Sequence, residues 1–222
     1  MSTRTVVIEG PERLEGVLHE GAGIGGAVIC HPHPLYGGSM WNDVVDAMEE
    51  GFSKAGFTTL RFNFRGVGSS TGRYDGGVGE TEDLVAACQF LRGVVSGEAP
   101  QALPVEGVLN PNLAGRFVIA GYSFGAWVSS MAPARVAGVT DLFLVAFPFS
   151  SYQTGEIRAF SGRIYLVGGS LDDISPLDDL VALHRDLKGE KRLKVIPASH
   201  FFEGHAGEIS KFILESFREE EG

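Results

Sequence analysis

Two hydrophobic periods alternate along this chain. Short apolar runs rich in β-branched and aromatic residues, "GGAVICH" (25–31), "FTTLRFN" (57–63), "RFVIAG" (116–121), "TDLFLVAF" (140–147), "GRIYLVG" (162–168) and "RLKVIP" (192–197), read as buried strands. Between them apolar residues recur at helical spacing: Val44, Val45, Met48 and Phe52; Leu84, Cys88, Leu91 and Val95; Ile209, Phe212, Ile213 and Phe217. "RTVVIEG" and "LEGVLHE" look like an opening β-hairpin. The alternation predicts an α/β architecture, a mostly parallel sheet with helices on both faces, in a single domain over 1–222. The stretch 96–115, with three prolines and no clear period, reads as a long loop at the sheet edge opposite any site, because ligands of such sheets gather at the carboxyl ends of the strands.

Within that frame "GYSFGAW" (121–127) stands where a strand passes into a helix. In a G-x-S-x-G turn the serine backbone is strained and its hydroxyl exposed, and the glycines leave room where strand and helix nearly touch. A serine hydroxyl is a weak nucleophile at neutral pH; it needs a base to take its proton and a third group to orient that base. Both stand after later strands, in the chain order acid then histidine. "GRIYLVGGSLDDISP" presents Asp172 and Asp173 past its strand, and "RLKVIPASHFFEGH" presents His200, with His205 five residues on. Asp172 is favoured by its place in the tight turn before the next helix, with Asp173 as second choice. His200 is favoured over His205 because it lies nearer the strand end. Taken alone, the two aspartates also suit a helix cap and His200 a loop histidine bonded to backbone.

"ICHPHPLYGG" carries an H-x-H pair, but no carboxylate or third histidine stands beside it at ligand spacing, so no metal is expected. The segment suits an oxyanion hole better, with one donor N–H from Phe124 after the nucleophile and a second from this loop. Pro32 and Pro34 have no N–H, which leaves His33 or Leu35. Arg65, in "FNFRGVGSSTG", reads as a structural anchor for neighbouring carbonyls or a carboxylate, and that segment lacks the glycine spacing of a dinucleotide site.

Composition narrows the partners. The formal charge of −10 disfavours nucleic acid and anionic membrane surfaces, and no stretch has the length of a membrane helix or a secretion signal. The expectation is a soluble cytoplasmic protein acting on a small molecule without a cofactor, with Cys30 and Cys88 as buried free thiols. Only the fourteen residues 148–161 separate two strands where a covering domain would stand; they suffice for one short helix and a rim. Leu35, Phe147, Phe149, Tyr152 and Phe201 are the candidate apolar contacts for substrate.

Taken together, "HPHPLYGGSMWNDVV", "LRFNFRGVGSSTGRYDGGVGETEDL", "GYSFGAW", "GGSLDDISP" and "SHFFEGH" closely resemble the α/β-hydrolase superfamily, in its small, lidless, dienelactone-hydrolase-like bacterial branch. The resemblance runs from about residue 5 to 217. It implies an eight-stranded sheet with the second strand antiparallel, a Ser123, Asp172, His200 triad, and His33 as the first choice for the second oxyanion donor. Dienelactone hydrolase itself has a cysteine nucleophile where this chain has serine. That departure points to ordinary ester or thioester cleavage through an acyl-enzyme. An amidase or peptidase with the same triad, or a non-catalytic interaction protein, are the other readings of the fold.

Overall fold

The computed structural model describes residues 2–97 and 115–218. Eight strands form one sheet: β1 (Thr3–Ile8), β2 (Leu14–His19), β3 (Gly25–Cys30), β4 (Thr58–Phe62), β5 (Arg116–Tyr122), β6 (Asp141–Val145), β7 (Arg163–Gly169) and β8 (Lys191–Ile196). Their order in space is β1-β2-β4-β3-β5-β6-β7-β8. β2 runs antiparallel to both β1 and β4, and β4, β3 and β5 to β8 are parallel to their neighbours, as the resemblance implies. Most of the segment 96–115 lies outside the described residues.

Among the described residues five α-helices lie between strands, α1 (Asp43–Lys54), α2 (Val78–Ser96), α3 (Phe124–Met131), α4 (Gly155–Ala159) and α5 (Leu177–Asp186), and α6 (Ala206–Arg218) follows β8. Successive strand residues point to opposite faces, and the two faces build separate cores. Ala27, Ile29, Val118, Ala120, Phe143 and Val167 pack against Val44, Val45, Met48 and Phe52 of α1 and Ile209 and Ile213 of α6. Val28, Cys30, Ile119, Leu142, Leu144 and Leu166 pack instead against Leu84, Cys88 and Leu91 of α2, Ala126 and Val128 of α3, and Leu180 and Leu183 of α5. The three helical stripes in the sequence are therefore core. Cys30 and Cys88 are free and buried, and burial pushes the Cys30 thiol up to about 12.

Between β6 and β7 the only regular element is the single-turn helix α4, so no cap domain covers this edge of the sheet. Among the described residues no helix is long and apolar enough to cross a membrane.

Candidate active site

Ser123 sits between β5 and α3 with φ 55° and ψ −119°, a region costly for any residue with a Cβ. The glycines beside it are required by contact. A Cβ on Gly121 would lie 2.2 Å from the Gly125 carbonyl oxygen, and one on Gly125 would lie 2.5 Å from the carbonyl oxygens of both Cys30 and His31. The turn is tied down by the Ser123 N–H donating to the Val145 carbonyl at 2.9 Å.

Two later loops bring their side chains to this hydroxyl. His200, four residues past the end of β8, places Nε2 3.0 Å from Ser123 Oγ, and its Nδ1 stands 2.8 Å from Asp172 Oδ2. Asp172 follows β7; its second oxygen, Oδ1, accepts from the backbone N–H groups of Ile174 (2.9 Å) and Ser175 (2.7 Å). These bonds fix the carboxylate in one orientation, and Ser175 is held in turn by its hydroxyl donating to the Phe147 carbonyl at 2.5 Å. Tyr122, the residue before Ser123, donates its hydroxyl to the His200 carbonyl at 2.9 Å and anchors the histidine loop. The sequence offered no signal for that last contact. Asp172 and His200 are buried, whereas Ser123 keeps part of its surface open. The two competitors stand apart: Asp173 is exposed, and His205 Nδ1 faces Glu208 at 3.4 Å.

The histidine-proline loop after β3 closes on the same point. His31 is fully buried with both ring nitrogens engaged by backbone: Nδ1–H donates to the Pro32 carbonyl at 2.6 Å and Nε2 accepts the Phe64 N–H at 3.0 Å. Neither nitrogen of His31 is free to ligate a metal, so this histidine is a structural device. Burial lowers the His31 pKa to about 4. His33 accepts the Leu35 N–H on Nδ1 at 3.2 Å, which occupies Leu35, one of the two candidate oxyanion donors. Among the described residues the His33 and Phe124 N–H groups donate to no protein acceptor. The His33 and Phe124 rings lie 4.8 Å apart.

Of the apolar contacts expected from sequence, Leu35 (67%) and Phe201 (60%) are exposed, with Phe201 5.7 Å from the His200 ring. Phe149 and Tyr152 are half-buried. Phe147 belongs to the core at 0% exposure, so its ring has no surface to offer a ligand; the strand β6 ends at Val145 and the next residues turn inward rather than out to the rim. A depression of about 470 Å³ between α4 and α5, lined by Phe149, Tyr152, Arg158 and Leu183 among others, does not reach Ser123. Arg65 is a structural anchor: its guanidinium grips the buried Asp83 carboxylate at 2.8 Å, which ties the loop after β4 to α2.

The model of the alpha/beta hydrolase family matches residues 18–204. An uncharacterized protein of Rickettsia prowazekii is 31% identical over 220 residues, covering 94% of this chain and 86% of its own length. Among solved structures, an alpha-beta serine hydrolase homologue from Coxiella burnetii shares 32% identity with a TM-score of 0.81, over 97% of this chain and 98% of that one. A serine hydrolase without a lid from Xanthomonas campestris shares 25% identity with a TM-score of 0.83, over 98% and 94%.

Proposed function

Because the chain belongs to the alpha/beta hydrolase family, we propose that it is a serine hydrolase of small carboxylic esters or thioesters, with Ser123 as nucleophile, His200 as base and Asp172 as the orienting acid. The observation that carries this reading is the unbroken chain of contacts from Ser123 Oγ through the His200 ring to Asp172. Ser123 Oγ attacks the substrate carbonyl and passes its proton to His200 Nε2. Asp172, already saturated on Oδ1 by two backbone donors, keeps Oδ2 for the Nδ1–H and stabilises the imidazolium. The Phe124 and His33 N–H groups receive the oxyanion of the tetrahedral intermediate, a role supported by their lack of protein acceptors. Collapse of the intermediate gives the leaving alkoxide or thiolate the His200 proton. Water, deprotonated by the same ring, then hydrolyses the acyl-enzyme.

Cys30 does not compete as nucleophile, because burial keeps its thiol protonated near neutrality. The free, buried state of both cysteines also supports a cytoplasmic enzyme. With only α4 between β6 and β7, a long acyl chain finds little wall, and each methylene contributes about 0.8 kcal/mol only where it is covered. Short acyl chains are therefore preferred. The reading is tested by treating folded protein with a fluorophosphonate and locating the adduct by mass spectrometry: modification at Ser123 is expected, and its absence would remove the enzyme reading altogether.

A further inference from the structure

Five rings gather around Phe124, the residue that follows the nucleophile. His33 lies 4.7 Å from Tyr36, 4.9 Å from Tyr74 and 4.8 Å from Phe124, measured between ring centroids. Phe124 in turn lies 5.5 Å from Trp127 and 6.3 Å from Tyr152, and those last two rings stack at 3.9 Å with only 14° between their planes. Phe124 is buried and forms the floor; the other five keep surface open to solvent. The elements that meet here are the loop after β3, the loop before α2, the first turns of α3 and the segment before α4.

The phenols distinguish this cluster from ordinary core packing. Of the five tyrosines, Tyr122 and Tyr165 are buried and their hydroxyls are engaged, one on the His200 carbonyl and the other by Arg116. Among the described residues the hydroxyls of Tyr36, Tyr74 and Tyr152 have no hydrogen-bond partner. Each of these can both donate and accept. Desolvation, aided by Glu80 at Tyr74 and by the Tyr74 and Tyr36 phenols at Tyr152, raises both pKa values and so keeps both hydroxyls protonated. Glu80 itself is fully buried and accepts from the N–H groups of Asp75 and Gly77.

Ring walls and free phenolic hydroxyls together define one chemical class. We propose that the rings of His33, Tyr36, Tyr74, Trp127 and Tyr152 form a subsite beside Ser123 for a flat, uncharged aromatic group of the substrate carrying hydroxyl or methoxy oxygens. The inference rests on the serine-hydrolase reading for the bond that is cleaved. Flat rings gain from edge and stacked contacts with such walls beyond their buried area, and the oxygens supply acceptors and donors for the phenols.

Two matched pairs of esters test it. In one the ring is on the alcohol side, 2-(4-hydroxyphenyl)ethyl acetate against 2-cyclohexylethyl acetate; in the other it is on the acyl side, methyl 3-(4-hydroxyphenyl)propanoate against methyl 3-cyclohexylpropanoate. In at least one pair the aromatic member is expected to show a kcat/KM about tenfold higher, equivalent to about 1.4 kcal/mol. Tyr74→Leu and Tyr152→Leu should each bring that ratio close to one. Binding is read separately in a Ser123→Ala, Trp41→Phe protein, where Trp127 is the sole remaining tryptophan. Its fluorescence, excited at a wavelength phenols do not absorb, should change saturably with uncleaved 2-(4-hydroxyphenyl)ethyl acetate and less with the cyclohexyl ester. Equal rates within both pairs together with flat fluorescence overturn the subsite while leaving the hydrolase reading intact. Saturable binding with no ester cleaved by the unmodified protein keeps the subsite and overturns the hydrolase reading. Preference for an acetylated sugar over all four esters overturns the aromatic assignment.

Discussion

His31 and His200 stand at the carboxyl edge of the same sheet, one just past β3 and the other just past β8, and both are buried with both ring nitrogens engaged. They differ in what engages them. His31 faces a backbone carbonyl and a backbone N–H, whose polarity is fixed; only the neutral ring with its proton on Nδ1 satisfies both, and a second proton would be driven against the Phe64 N–H. His200 faces a carboxylate and a hydroxyl. The hydroxyl can reverse its role from donor to acceptor, and the carboxylate stabilises an imidazolium. Burial is common to both, so it does not make a histidine a base; the nature of its two partners does. In the proposed mechanism the loop at His31 is accordingly a strut that sets the His33 N–H beside Ser123, and the His200 ring is the proton carrier.

The comparison breaks most visibly in turnover. Ser123→Ala and His200→Ala are each expected to lower kcat on a short ester by about 10⁶, with a much smaller effect on KM, because removing one member disables the set. If His200→Ala retained ester turnover while His205→Ala lost it, the base would have to be reassigned. Asp172→Asn should follow, lowering kcat by about 10⁴ because an amide nitrogen in place of Oδ2 disfavours the Nδ1–H tautomer. Asp173→Asn, on an exposed side chain, should leave kcat within about twofold, and steady-state kinetics on the pair checks the choice of acid.

On the other side of the comparison the effects are on stability. His31→Ala leaves the Phe64 N–H and the Pro32 carbonyl without partners and should cost roughly 1–3 kcal/mol in urea unfolding. The His31 pKa of about 4 lies below its ordinary value of 6.5, so between these values the unfolded chain binds more protons at this site than the folded one. Stability should therefore fall as pH drops from 6.5 towards 4, by at most about 1.4 kcal/mol per pH unit from this residue, with no His31 contribution to the slope above 6.5. Denaturant midpoints measured across that window should show a shallower dependence in the His31→Ala protein than in the parent. The smallest effect is His205→Ala, whose ring meets only Glu208; kcat within about twofold of the parent is expected.

Local chemistry made much of this legible in the sequence. Strand positions follow from continuous apolar runs and helix positions from the 3.6 period; the runs are continuous because successive residues such as Ala27, Val28, Ile29 and Cys30 alternate between two cores. The G-x-S-x-G turn was readable in part because steric exclusion at Gly121 acts against Gly125, four residues on, whereas Gly125 itself is kept small by the distant Cys30 and His31 carbonyls. Its partners were readable in kind and order, since the fold places acid and histidine past successive strands. The choice of Asp172 over Asp173 and of His200 over His205 rested on position along the chain alone, without the contacts that fix it. Asp172 and Asp173 are chemically identical, and only the turn after β7, which spends one oxygen on Ile174 and Ser175 and aims the other at His200, separates them. Phe147 looked like a rim residue because it follows an apolar run, yet the chain turns it into the core. His31 and His33 share a motif but receive opposite surroundings, one sealed beneath Phe64 and one open beside Tyr36 and Tyr74. Periodicity and excluded volume operate along the chain and are written in it. The contacts that join Ser123, Asp172 and His200, and His33 to Tyr74 and Phe124, come from segments tens of residues apart, so only the packed sheet and its loops decide which atoms meet.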